Sequence, residues 1–205
     1  MPRPKQRTPE LRDHVLAIAL ELLARDGVAG FTARGLAREA STSTPAVYEL
    51  FGDKSGLLRE VYFSGFRLLR ARLGELIETE HPRADLLALA ARYRGFIREN
   101  PVLAELMFSR PFSDFDPSQA ERAAGGSVRT FILAQVRRCI DAGLLHGDQT
   151  DLAHVYVATV QGLAMAEGAR RLGSSRKAID RRFDLAIEAL LDGLARRAKT
   201  SAARA

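Results

Sequence analysis

The sequence has 205 residues, a formal net charge of +6 and 46% hydrophobic residues, which supplies apolar surface for a packed core and weakly favours an anionic partner such as nucleic acid. Cys139 is the single cysteine, so an intrachain disulfide and a cysteine metal cluster are both excluded. No apolar run approaches the roughly 18 residues of a membrane span, and the MPRPKQRTPE start has basic residues with no apolar stretch behind it, so neither a spanning segment nor a signal peptide is expected and the cytoplasm is the expected compartment.

The apolar set is rich in Leu and Ala, poor in β-branched residues and without Trp, which points to an all-α protein. Basic residues concentrate at Arg3, Lys5, Arg7 and Arg12, and again over 170–204, where they read as a solvated helix face and tail. Thr8-Pro9-Glu10 opens a first helix with a capping hydroxyl, a proline in the first turn and an acid near the positive end of the dipole. Val15, Ile18, Ala19, Leu22 and Leu23 then form one apolar stripe, and Gly27 ends the helix. Thr32 caps a short second helix over about 33–40, with Leu36, Ala37 and Ala40 inward. Ser41-Thr42-Ser43 reads as a tight turn, and a third helix starts at Ser43 or Thr44 and runs to about Phe51, with Val47 and Phe51 on its inner face.

Gly52-Asp53 breaks the third helix, and Asp53 caps a fourth expected to reach about residue 80. Further helices are expected at about 84–99, 102–109, 118–143, 150–172 and 175–198, about nine in total, with breaks at Asn100-Pro101, Arg110 to Pro117, Gly147-Asp148-Gln149 and Gly173-Ser174-Ser175. No stretch shows convincing β-alternation, and no internal repeat is evident.

Two short helices separated by a three-residue turn, braced by a helix on either side, form a helix-turn-helix pattern. The turn sets the short helices at a steep angle, the first and fourth helices bury their apolar faces, and the third keeps one side free to enter a major groove.

Residues 12–62 resemble the DNA-binding domain of the TetR/AcrR family of regulators. The resemblance rests on the apolar first helix ending in Gly27, then Phe31-Thr32, LAREAS and TPAVYELFGDKSGLL, with the Tyr48-x-x-Phe51-x-x-Lys54 spacing followed by Leu57-Leu58 as its distinctive part. It implies a basic arm and DNA-binding head over 1–54 and a helical ligand-binding and dimerising body over 55–198, while the residues 199–205 themselves read as a disordered tail. The chain departs from the family at Ser41 and Thr42, where Gly and an aliphatic residue are usual; Ser41 must then accept the backbone angle the glycine adopts.

The resemblance also implies roles. Thr32, Tyr48 and Lys54 contact phosphates, which position a protein without reading sequence. From their own position on the second helix, Arg34 and Arg38 are within reach of the DNA backbone. Base readout falls to Ser43, Thr44, Pro45, Ala46 and Glu49: the hydroxyls bond to several base edges, Pro45 or Ala46 touches a thymine methyl, and Glu49 either accepts from a cytosine amino group or is simply a solvent-facing acid. The arm carrying Arg3, Lys5 and Arg7 either lies in a minor groove or is disordered. The last two helices carry small residues at near-helical spacing, Ala158, Gly162 and Ala166 in one and Ala186, Ala189 and Gly193 in the other. In the family such helices pair with their copies in a homodimer, whose two heads read a palindromic double-stranded operator.

An effector pocket is expected among the helices of the body. Its candidates are Tyr93, Phe96, Met107, Phe108 and Phe112 in the first half and Phe131, Gln135, Cys139, Tyr156, Gln161 and Met165 in the second, most of which serve equally well as plain core. Gln135 and Gln161 interrupt apolar stretches, and a buried amide needs partners; His154 is either another such group or a surface residue. A hydrophobic or aromatic effector of unknown identity is the implied ligand, acting through the fourth helix to spoil the spacing of the heads, which needs only about 1–3 kcal/mol of coupling.

No cofactor is expected. There is no Gly-rich phosphate loop, no H-E-x-x-H and no nucleophile elbow, and His14, His81, His146 and His154 lack metal-ligand spacing, so no catalytic or metal residues are assigned. The rival within regulation is a DNA-binding dimer that takes no small molecule.

Overall fold

Helix caps written into the sequence divide the chain. The computed structural model describes residues 8–108 and 118–201, and these contain nine helices and no strand: α1 (Pro9–Gly30), α2 (Ala33–Glu39), α3 (Thr44–Phe51), α4 (Lys54–Gly74), α5 (Pro82–Glu99), α6 (Pro101–Phe108), α7 (Gln119–Asp141), α8 (Gln149–Gly168) and α9 (Arg176–Ser201). The Thr8 hydroxyl accepts from the Leu11 N–H at 3.3 Å, and the Asp148 carboxylate accepts from the N–H groups of Thr150 and Asp151. Gly27, at φ 68° and ψ 177°, kinks α1 where the sequence ends it.

Two expectations about helix length are corrected. The fourth helix stops at Gly74 and not near residue 80. The segment beyond it is held by non-local hydrogen bonds: Thr79 donates N–H and hydroxyl to Asp85 at 2.9 and 2.8 Å, and Gln135 donates to Glu78 at 2.7 Å. Ile77, which lies within the expected span of that helix, is 82% exposed. Helix α8 likewise ends at Gly168, because Arg170 adopts φ 57° and closes a Schellman turn in which Arg170 donates to the Glu167 carbonyl and Arg171 to the Ala166 carbonyl.

The chain forms two compact units. The first takes its described residues from Met1–Phe66 and Asn100–Glu121. Within it α2 packs on α1 and α3, and α6 packs on α1. Val15, Ala19, Leu23, Phe31, Leu36, Val47, Leu57 and Val61 are among its fully buried apolar residues. Helices α4 and α6 approach so closely at Gly65 that a Cβ there would overlap Sδ of Met107.

The second unit takes Arg67–Glu99 and the described part of Arg122–Ala205. Helix α5 packs on both α8 and α9, which also pack on each other. Leu86, Leu89, Ala90, Tyr93, Tyr156, Val160, Phe183, Ile187 and Leu191 fill the space between them. The Tyr156 hydroxyl is satisfied inside this core by donating to the Leu86 carbonyl at 2.6 Å. Arg94 on α5 reaches Glu167 on α8 and Asp180 on α9, and its guanidinium also lies 4.6 Å from the Phe183 ring centroid.

Candidate nucleic-acid interface and effector-domain residues

The first unit presents one side of α3 to solvent. Val47 and Phe51 are 1% and 8% exposed, whereas Tyr48 is 44% exposed. Pro45 and Glu49 are exposed with it, and Thr44 and Ala46 are half-buried at the edges of the same face. This split follows from helical spacing: residues 47 and 51 lie one turn apart, so 45, 48 and 49 must point the other way. Ser43 caps the helix, its hydroxyl accepting from the Ala46 N–H at 3.2 Å.

The turn before α3 is a second Schellman closure. Ser41 donates to the Arg38 carbonyl at 3.3 Å and Thr42 to the Ala37 carbonyl at 2.8 Å. Ser41 takes φ 51°, the left-handed angle that the usual glycine adopts freely. Thr42 is half-buried in a position where an aliphatic residue is common.

Thr32 caps α2 by accepting from the Gly35 N–H at 3.1 Å. Arg34, Arg38 and Lys54 are exposed, and Lys54 is the first residue of α4. The head is braced behind this surface: Arg12 donates to Glu60 at 2.7 Å and lies 5.2 Å from the Phe51 centroid, while Arg25 ties the end of α1 to Glu39 of α2 at 2.9 Å. The basic arm through Arg7 lies outside the described residues.

The effector-pocket candidates fall into separate places. Met107, which is buried, and Phe108 belong to the first unit, where Phe108 meets Phe66 edge-on at 6.4 Å and Phe66 lies 5.1 Å from Tyr62. Phe112 lies outside the described residues. In the second unit Tyr93, Phe96, Tyr156 and Cys139 are buried, and Gln161 and Met165 are half-buried. Desolvation pushes the Tyr93 and Tyr156 hydroxyls upward and the Cys139 thiol up to about 11, so the thiol stays protonated near neutral pH.

Gln135 is 1% exposed and fully engaged: its amide donates to Glu78 at 2.7 Å and its carbonyl accepts from Arg138 at 3.1 Å. Arg138 also pairs with Asp85 at 2.7 Å. Burial alone pushes the Asp85 carboxyl up, but the Thr79 N–H, the Arg138 guanidinium and the Thr79 hydroxyl together hold it below the usual carboxylate range. Sequence reading missed Asp85, Arg94 and Arg138 because an isolated charge in a helix reads as surface; the partners that bury these three lie on other helices.

Phe131 is half-buried beneath Arg70, whose guanidinium carbon lies 4.2 Å from the ring centroid. His154 is a surface residue whose Nδ1 stands 2.7 Å from the Thr150 carbonyl. Among the described residues no group of three His, Cys, Asp or Glu side chains is gathered as a metal site, and no helix is long and apolar enough to cross a membrane.

Two family models match the chain. Residues 15–61 match "Bacterial regulatory proteins, tetR family", and residues 86–190, about half the chain, match "Tetracyclin repressor-like, C-terminal domain". The chain belongs to the TetR/AcrR family. Members of this family are DNA-binding transcription regulators with a helix-turn-helix and a ligand-binding domain. The HTH-type transcriptional regulator AcrR of Shigella flexneri is 35% identical over 72 residues, a match spanning 35% of this chain and 32% of that protein, about a third of its length. A solved protein of unknown function from Rhodococcus sp. RHA1 is 30% identical with a TM-score of 0.79, covering 94% of this chain and all of that one. The Bacillus subtilis regulator FadR in complex with stearoyl-CoA shares the fold at 13% identity and a TM-score of 0.67, over 88% of this chain and 98% of that one. A TetR variant from Acinetobacter baumannii AYE in complex with minocycline does so at 21% identity and a TM-score of 0.60, over 89% and 94%.

Proposed function

We propose that this TetR/AcrR-family protein is a cytoplasmic repressor that binds a palindromic operator as a homodimer and is released by a small hydrophobic or aromatic effector. The observation that supports it most is the two-faced α3, with Val47 and Phe51 locked inward and Pro45, Tyr48 and Glu49 outward. Ser43, Thr44, Pro45, Ala46 and Glu49 then meet base edges, while Thr32, Arg34, Tyr48 and Lys54 hold the phosphate backbone. One such helix buries too little surface for high specificity, which favours two heads on a palindrome.

Dimerisation through α8 and α9 is supported by their outer surfaces. Val155 is 44% and Leu185 65% exposed. Ala158, Gly162, Ala189 and Gly193 are exposed too, and a Cβ added at either glycine would meet nothing within 4 Å. The half-buried Ala166 and Ala186 flank the same surface. Two relatives of this fold hold stearoyl-CoA and minocycline, which supports an effector of substantial apolar surface. Effector binding would act through α4, which runs from the DNA-binding head into the second unit.

The test is a gel shift on palindromic DNA from the region upstream of the coding sequence, with and without a metabolite panel, alongside sedimentation. Slowed migration abolished by a panel member, together with a dimer in solution, is the expected outcome. A monomer at working concentration overturns the dimer reading, and retention of DNA across the whole panel favours a regulator without a small-molecule ligand.

A further inference from the structure

In this chain an arginine that is buried or half-buried holds a carboxylate, with one exception among the described residues. Arg12 pairs with Glu60, Arg59 with Glu121, Arg72 and Arg92 with Glu75, Arg83 with Asp192, Arg94 with Glu167 and Arg138 with Asp85. Arg70 is half-buried like most of these, yet what it covers is the ring of Phe131, at 4.2 Å. A phenyl face meets only part of a half-buried guanidinium's bonding capacity, and it leaves the in-plane N–H donors free of any protein acceptor among the described residues.

Those donors border a hollow. It lies between α4 and α7 within the second unit, with a volume of about 530 Å³, and its lining includes Arg70, Ala123, Gly126, Thr130, Phe131 and Ala134. The α7 residues fall on one side of that helix at positions 123, 126, 130 and 134. Gly126 and its neighbour Gly125 sit inside α7, past its first turn, where each glycine costs about 1 kcal/mol relative to alanine. Close helix packing does not account for them, because a Cβ at either position would meet nothing within 4 Å. What Gly126 does is keep the hollow open. The volume lies within the range of small-molecule sites, and its wall is apolar except for one cation, Arg70, and two hydroxyl residues, Ser127 and Thr130.

We propose that the α4–α7 hollow binds an organic monocarboxylate with an aromatic or aliphatic body, its carboxylate on the Arg70 guanidinium and its body against Phe131, Ala123, Gly126 and Ala134. A guanidinium matches a carboxylate side-on through two parallel N–H donors. One cation balances one negative charge, which disfavours phosphate dianions and polyacids. Ser127 and Thr130 add hydroxyls to the same lining. The consequence for DNA rests on the effector-responsive reading above; binding itself does not.

The experiment is calorimetric titration of the full chain with phenylacetate and decanoate and with their neutral amides, phenylacetamide and decanamide. At least one acid should bind about tenfold or more tightly than its amide, the discrimination expected of a charge-assisted pair. Arg70→Gln should erase that preference. Gly126→Leu should block acid and amide alike without loss of thermal stability, since open space surrounds the added side chain. Gly74→Ala keeps the charge but puts a Cβ 2.6 Å from Nη1 of Arg70, and by shifting the guanidinium it should weaken the acid selectively. Acids and amides that bind equally, an acid preference surviving in Arg70→Gln, or no binding by either acid at millimolar concentration would each overturn the proposal. A gel shift in parallel separates the two readings: an acid that binds but leaves the protein on DNA counts against the effector reading and leaves the site standing, whereas DNA binding without acid binding does the reverse.

Discussion

Nε of Arg59 donates to Oε1 of Glu121 at 2.6 Å while Nη2 donates to Oε2 at 3.0 Å, a side-on pair between α4 and the first turn of α7. The same carboxylate accepts from the Ser118 N–H at 2.6 Å, and the Ser118 hydroxyl accepts from the Glu121 N–H at 3.3 Å. Glu121 thus closes a capping box and holds the neighbouring helix at once. The Arg59 hydrogen bonds, opposed by partial burial and reinforced by Ser118, bring its pKa from 4.5 down to about 2.

Because the folded-state value is depressed, the stabilisation from Glu121 is complete above about pH 4.5 and is lost as pH falls toward 2. Glu121→Gln should lower stability by about 1–2 kcal/mol at neutral pH, the sum of a weakened cap and a lost ion pair. Denaturant titrations of both proteins across pH should show the difference shrinking between pH 4.5 and 2. A constant difference over that range would refute the assignment.

Tyr48→Phe and Lys54→Ala should weaken binding to every DNA sequence by a similar factor, because phosphate contacts carry no sequence information. For Lys54→Ala the slope of log affinity against log salt should flatten by about one. Substitutions at Thr44, Ala46 and Glu49 should instead shift preference among operators. Fluorescence anisotropy on a panel of duplexes over a salt series distinguishes the two patterns, and unchanged binding in the first pair would remove Tyr48 and Lys54 from the interface.

Ser41→Gly should stabilise the head. Its φ of 51° carries a Cβ penalty of about 1 kcal/mol that glycine does not incur, and this is partly offset by the extra entropy of the unfolded chain. Ser41→Val should destabilise, since a β-branched residue resists the left-handed region more strongly. Thermal melts give the order Gly, Ser, Val from most to least stable, and a reversal of Ser and Val would show that the turn does not hold this backbone angle.

Arg94→Met should be severe. The Arg94 and Glu167 side chains are only 7% and 9% exposed, so removing the cation leaves a buried carboxylate with only the more distant Arg176, at 3.9 Å, a loss of about 3 kcal/mol. The double variant Arg94→Met with Glu167→Gln should recover part of that loss, because the orphaned charge is gone. Urea unfolding of the single and double variants measures the coupling; a double variant no better than the single one would mean that packing against Phe183, and not the charge, is what Arg94 supplies.

The DNA-binding head was legible because its instructions are local. Thr32, Ser43 and Asp53 cap the helices that follow them, and Val47 and Phe51 sit one turn apart on α3. The body was legible as helices but less so in their lengths. Leu76 and Ile77 continue the apolar stripe of α4, yet the chain leaves the helix at Gly74 because Glu78 and Thr79 are bound by groups on α5 and α7.

The amino-acid sequence by itself determined the all-α class, the helix-turn-helix and the face that α3 buries, since each depends on side-chain spacing and caps within a few residues. Only the tertiary structure decided which charges become buried pairs, how Gln135 is satisfied between Glu78 and Arg138, and that Arg70 rests on Phe131 without a carboxylate. The physical reason is that desolvation and pairing are set by neighbours far away in sequence. An arginine in a helix looks the same from its own segment whether its partner on the next helix is a glutamate or a phenyl ring.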